Sequence, residues 1–110
     1  MPTTFAGIVM DTPQYKIFDI LVPEDDAINV VTILTFNAGG LTDFDEDPQV
    51  FWSLEETQVG ATPTVNTTVG IYAVSATGFR TMRDSVAPGA PSGVSHTYRV
   101  FMTSRKIWQL

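Results

Sequence analysis

The side chains of this chain best suited to chemistry lie in an acidic segment at residues 43–47. The carboxylates of Asp43, Asp45 and Asp47 alternate along the sequence, which is the spacing with which calcium-binding loops begin. An EF-hand is not completed, because Pro48 stands where that loop needs glycine. Two interpretations stay open: an irregular Ca²⁺ site at these three residues, or a solvated acidic turn that discourages unwanted strand pairing.

Other residue types that could perform catalysis are isolated. His96 is the only histidine, and a lone histidine at the start of a predicted strand is more often structural than a general base. Glu55 and Glu56 are adjacent, so on a strand they point to opposite faces. No serine or threonine lies in a nucleophile motif, and the Gly39-Gly40 pair lacks the lysine of a phosphate-binding loop. The sequence therefore predicts no enzyme.

The elements that must position these residues are β-strands. Short runs rich in Val, Ile, Thr, Phe and Tyr alternate with turn residues, a pattern typical of sandwiches and barrels. We predict an all-β fold, a single antiparallel β-sandwich or jelly-roll-like barrel of seven to eight short strands, spanning residues 1–110. The predicted strands are Phe5–Met10, Tyr15–Val22, Ile28–Phe36, Gln49–Leu54, Val69–Ala76, Gly78–Arg83 and Ser95–Thr103, with Lys106–Leu110 as a candidate eighth.

Alternation along the strands predicts their faces. Tyr98, Val100 and Met102 share a parity and are assigned to the core, which leaves Arg99 on the opposite face. The run Ile28–Phe36 is apolar on both faces, as in strands that are covered on both sides. In a small sandwich the second cover could be a loop or a neighbouring subunit.

Composition bounds the class of protein. The chain has 110 residues, the size of one domain, and no cysteine, which excludes disulfides and thiolate metal sites. Charged residues make up 16%, against about 25% in typical soluble domains. Either a Thr-rich exterior replaces the usual charges, or much of the surface faces another protein.

Charge is divided unevenly along the chain. Residues 1–56 carry eleven acids and one base, a net of −10, whereas residues 57–110 carry five bases and one acid, a net of +4. The total of −6 opposes binding to nucleic acid. The bases of the second half either pair with acids of the first half or serve an interface. The interface candidates, in a region rich in aromatic residues and arginine, are Arg99, Phe101, Arg105, Lys106 and Trp108.

The amino terminus shows no signal peptide, since Met1–Phe5 lacks basic residues and Asp11 and Pro13 interrupt any apolar run. No apolar stretch is long enough to span a bilayer. We therefore expect synthesis and folding in a host cytoplasm, with no membrane partner.

A Cys-free, Thr/Val/Gly-rich all-β chain with runs such as Ile28–Phe36 and Tyr98–Met102 resembles the small accessory structural proteins of tailed-phage virions, the capsid decoration (cement) proteins and the tail or neck modules. The resemblance implies a β-module of the virion, often oligomeric, that binds a protein lattice such as a major capsid or tail protein. It assigns no role to any single residue.

Two functions of different classes follow. The first is a non-enzymatic assembly protein that binds and stabilises a virion lattice and forms a homo-oligomer, without a cofactor. The alternative is a carbohydrate-binding β-sandwich module, with Trp52, Tyr72 or Trp108 stacking on sugars and Ca²⁺ held at the acidic segment.

Overall fold

The computed structural model of the protein describes residues 3–23, 31–59, 68–84 and 94–104. Seven strands account for most of these residues, and no helix among them could cross a membrane. In chain order the strands are β1 (Thr4–Asp11), β2 (Tyr15–Val22), β3 (Val31–Thr35), β4 (Pro48–Val59), β5 (Thr68–Ser75), β6 (Gly78–Asp84) and β7 (Val94–Ser104).

The strands form two packed antiparallel sheets. One has four strands in the order β1-β2-β7-β4, and the other has three in the order β3-β6-β5. The fold is thus a β-sandwich, as predicted, and it does not close into a barrel. Its core lies between the sheets, where Phe18 stacks on Phe79 at a centroid distance of 5.7 Å and Phe36 meets Phe44 edge to face at 5.4 Å.

Most strand boundaries agree with the pattern of the sequence. Strand β2 has the predicted bounds, whereas β4 continues to Val59, beyond the predicted end at Leu54. Residues 28–30 of the predicted third strand and the candidate strand at 106–110 lie outside the described residues.

Strands β5 and β6 form a hairpin that turns at Ala76 and Thr77, with Ser75 opposite Gly78 in the register. Gly78 also lies opposite Thr35 of β3, and a Cβ at this glycine would collide with the carbonyl oxygen of Leu34. Only glycine permits this approach between the two backbones, which fixes β3 against the hairpin.

A charged side chain lies inside the sandwich at the β1–β2 end. Lys16 shares the inward face of β2 with Phe18 and Ile20 and is 0% exposed. Its Nζ donates to Asp11 Oδ1 at 2.6 Å, to the Thr12 carbonyl oxygen at 2.7 Å and to Thr42 Oγ1 at 3.1 Å. All three ammonium protons can therefore be satisfied without water.

Aromatic rings and a second hydrogen-bond network complete the surroundings of this ammonium group. Its Nζ lies 4.6 Å from the ring centroid of Phe44 and 5.6 Å from that of Phe36, within the range of cation–π attraction. Asp11 also accepts hydrogen bonds from the Thr42 amide and hydroxyl, both at 3.0 Å. Burial raises the pKa of Asp11, but the hydrogen bonds from Lys16 and Thr42 and the charge of Lys16 outweigh it and bring the pKa below its ordinary value.

Candidate interaction surface

The outer face of the four-stranded sheet carries an apolar row that crosses every strand. The register sets Met10 opposite Ile17, Ile17 opposite Phe101, and Phe101 opposite Phe51. We call these four residues the outer row. All four point away from the core, because their neighbours along β2 and β7, Phe18, Val100 and Met102, are 0% exposed and point into it.

The outer row is accessible at both of its ends. Met10 is 44% exposed and Phe51 is 56% exposed, while Ile17 and Phe101 between them are half-buried. Directly opposed side chains on one face of a sheet are close enough to touch, so the row is a continuous apolar strip. Strips of this kind, rimmed by polar groups, are typical of protein contact surfaces.

An ion pair borders the outer row on one side. Asp19 and Arg99 are opposite each other in the β2–β7 register. Arg99 Nε donates to Asp19 Oδ1 at 3.0 Å and Nη2 donates to Oδ2 at 3.4 Å. The hydrogen bond and charge of Asp19 raise the pKa of Arg99. The two hydrogen bonds together orient the guanidinium group beside the outer row.

Two of the five predicted interface residues fall within the described chain. Arg99 and Phe101 are successive outward side chains of β7, and the structure brings them together on one face. The charge of Arg99 is paired with an acid of the first half of the chain, the internal alternative considered for the bases. Arg105, Lys106 and Trp108 lie outside the described residues.

The edge strand β4 exposes apolar side chains on its other side as well. Trp52 and Leu54 are opposite Val100 and Tyr98, so they point toward the three-stranded sheet. They nevertheless remain 40% and 53% exposed. The three-stranded sheet thus leaves the inner side of β4 incompletely covered at these two residues.

The outer face of the three-stranded sheet holds a second, smaller apolar group. The register aligns Ile33, Arg80 and Tyr72 across its three strands. Ile33 is 65% exposed, Tyr72 38% and Val31 43%. The prediction that this strand is covered on both faces is wrong for its described part: β3 is an edge strand of its sheet, and the described residues provide no cover for Val31 and Ile33.

The acidic segment acts as a structural connection. Asp47 Oδ1 accepts from the Ala76 amide at 3.0 Å, and Glu46 Oε1 accepts from Ser104 Oγ at 2.6 Å. Earlier in the segment, Phe44 is buried, whereas its two neighbours Asp43 and Asp45 are exposed. Within the described ranges, no three His, Cys, Asp or Glu side chains could hold a metal ion together. The calcium prediction for Asp43, Asp45 and Asp47 receives no support from this arrangement.

A cleft opens between β1 and β3 and has a volume of about 430 Å³. The described residues that line it carry hydroxyl or apolar groups and no acid, base or imidazole, among them Thr3, Phe5, Ile33 and Thr35. His96 is buried on β7, and its ring centroid lies 5.9 Å from that of Tyr98.

Comparison with models of protein families, with curated proteins and with solved structures found no match for this chain.

Proposed function

We propose that the protein is a non-enzymatic structural protein that binds to a protein lattice through the outer face of its four-stranded sheet. The lattice is that of a virion, with the protein as an accessory component such as a capsid decoration protein. The single observation that supports this proposal is the outer row, Met10–Ile17–Phe101–Phe51, which runs unbroken across four strands. Apolar and aromatic side chains beside a fixed arginine are the composition of interface cores.

The arrangement of aromatic residues favours a protein partner over a carbohydrate. Sugar recognition of the kind considered above needs aromatic rings that share one platform. Trp52 lies on the sandwich-facing side of β4, whereas Tyr72 lies on the outer face of the other sheet. The two rings therefore cannot stack on one glycan, and Trp108 lies outside the described residues.

Particle binding tests the proposal directly. Virus particles are purified on density gradients from cells that produce this protein, and their composition is measured by mass spectrometry. Particles stripped of the protein are then incubated with purified wild-type protein and with the variants Phe101→Ser and Met10→Ser. We expect the wild type to rebind and each variant to lose roughly tenfold in affinity, the effect of removing one well-packed interface side chain.

Ile33→Ser is the matched control, because Ile33 is an exposed aliphatic residue on the outer face of the other sheet. This variant should rebind like the wild type. Absence of the protein from particles would refute the virion assignment. Equal rebinding by all the variants would refute the role of the outer row. A glycan array probed with the same wild-type protein should show no binding above background.

A further inference from the structure

The free edge of β4 is the longest regular edge in the part of the chain that the structure describes. Strand β4 has 12 residues and β1, at the other end of the same sheet, has 8. The β1 register is interrupted twice by bulges, between Phe5 and Gly7 and between Ile8 and Met10. The β4 register is regular from Pro48 to Leu54 and shifts only beyond that residue.

This contrast matters because a regular edge is a template for another strand. Bulges twist an edge and interrupt its hydrogen-bonding groups, which is one way in which proteins prevent edge pairing. Edge β1 has this protection along most of its length, and the Pro48–Leu54 part of β4 does not. In that part Phe51, Trp52 and Leu54 are each at least 40% exposed, on both faces of the strand.

We infer that the β4 edge is the surface through which two copies of this chain associate. The two β4 strands pair antiparallel about a twofold axis close to Trp52, so that two four-stranded sheets become one continuous sheet. Main-chain hydrogen bonds between the edges provide affinity, and the exposed side chains on both faces provide register, as in other cases of strand addition. The inference rests on the proposed function in treating this chain as an assembly protein, and it names a second copy as one partner.

The strand sequence explains why the occupant is a second copy. A twofold interface must be self-complementary. With the axis at Trp52, Phe51 lies opposite Ser53 of the second copy, and Leu54 lies opposite Val50. The regular part of this alignment, Val50–Leu54, contains no charged residue, so no carboxylate faces another carboxylate within it.

The same alignment extends the surface of the proposed function. Phe51 is the last residue of the outer row, and the axis lies one residue away from it. The outer rows of the two copies therefore meet at the axis and form one apolar strip across the joined sheet. On the opposite face, the exposed side chains of Trp52 and Leu54 gain neighbours from the second copy.

The charge of the chain gives this association a distinctive salt dependence. Each copy has a net charge of −6, so two copies repel each other at low ionic strength. Added salt screens this repulsion and leaves backbone hydrogen bonds and apolar burial almost unchanged. Edge pairing should therefore strengthen with salt, whereas head-to-tail contacts between the acidic and basic halves of the sequence should weaken.

Sedimentation velocity tests the inference, with concentration series from micromolar to submillimolar at low and high salt. We expect the wild type to approach twice its 12.0 kDa mass as concentration rises, at lower concentrations in high salt. The variant Leu54→Lys should require at least roughly tenfold more protein, because lysine on an edge opposes pairing. Its matched control is Ile8→Lys, since Ile8 is also aliphatic, half-exposed at 49% and opposite an aromatic residue, but on β1.

Cysteine crosslinking tests the register without disturbing the fold. The chain has no cysteine, so Ser53→Cys and Gln49→Cys each introduce its only thiol, at exposed outward positions of β4. About the proposed axis, two copies of residue 53 have Cα atoms about 8 Å apart and two copies of residue 49 about 21 Å apart. A short bismaleimide should therefore crosslink the first variant rapidly and the second slowly.

Three results would overturn the inference: a wild type that stays monomeric throughout, equal weakening by Ile8→Lys and Leu54→Lys, or equal crosslinking at residues 49 and 53. Failure of the inference and failure of the proposed function are distinguishable. A monomer that rebinds particles through Phe101 refutes only the dimer, and a β4-linked dimer that ignores particles refutes only the lattice role.

Discussion

Two ion pairs among the described residues connect a basic side chain to an acid of the first half of the sequence, and their surroundings are opposite. Lys16 and Asp11 pair at 2.6 Å at the end of the core, with the lysine side chain 0% exposed. Arg99 and Asp19 pair at 3.0 Å on the outer face of a sheet, with side chains 37% and 23% exposed. The two pairs differ in their access to water, and this access sets the free-energy cost of leaving a charge without its partner.

The buried pair should contribute more to stability than the exposed one, because water cannot reach the ammonium group of Lys16. An ammonium group taken out of water must be compensated by hydrogen bonds and an opposite charge. Asp11, Thr12 and Thr42 supply this compensation, and they also join the β1–β2 hairpin to the segment that follows β3. At the exposed pair, water replaces a lost partner, so little stability depends on it.

Substitution of Asp11 by asparagine should produce the largest effect. Lys16 would remain fully buried without its carboxylate, and removal of one partner from a buried pair costs about 3 kcal/mol. Urea unfolding followed by fluorescence measures the free energy of unfolding. A loss that cannot be distinguished from that of an exposed Asp43→Asn control would show that the buried pair does not hold this end of the sandwich together.

Acidification should remove the contribution that the Asp11 carboxylate makes to the free energy of unfolding. The folded pKa of Asp11 lies below its ordinary value, whereas its unfolded pKa is about 3.9. The stabilisation is therefore fully present above about pH 5 and is lost as the pH falls through the folded pKa. The stability difference between wild type and Asp11→Asn should narrow between neutral pH and about pH 3. A stability difference that stays constant over that pH range would contradict the view that the ionised carboxylate of Asp11 stabilises the fold.

Replacement of Lys16 by methionine should cost less than replacement of its partner. Methionine fills the space beside Phe36 and Phe44 and makes favourable contacts with aromatic rings. Asp11 keeps its two hydrogen bonds from Thr42 and some contact with water, since its side chain is 19% exposed. We expect a loss of about 1 kcal/mol in urea unfolding. A larger loss than that of Asp11→Asn would reverse this interpretation of the pair.

The sequence predicted most of the sandwich because strand parity is a local property. Alternation placed Val100 and Met102 inside and Arg99 outside, and the structure confirms this. The same rule gives Lys16 the parity of Phe18 and Ile20, and this was the available signal for a buried lysine. Parity alone does not predict a buried lysine, because burial of a charge also requires hydrogen-bond partners, and the partner Thr42 is distant from Lys16 in the sequence.

The outer row could not be predicted from one sequence. Parity assigns Met10 or Phe51 to a face of its own strand, but the alignment of residues across β1, β2, β7 and β4 depends on register. Register is set by pairings between segments far apart in the chain and by the bulges of β1. The exposure of Trp52 on the inward side of β4 likewise depends on how the two sheets pack, a property of the assembled fold.

Removal of the exposed pair should give the smallest effect and so completes the comparison. Asp19→Asn retains the size of the side chain and removes the charge opposite Arg99. Because Arg99 is open to water, we expect almost no change in the urea midpoint at high salt and a slight decrease at low salt, where the attraction is less screened. Particle rebinding should be reduced more than stability, because Arg99 beside the outer row then loses its fixed orientation. A decrease in stability as large as that of Asp11→Asn would mean that exposure does not separate the two pairs.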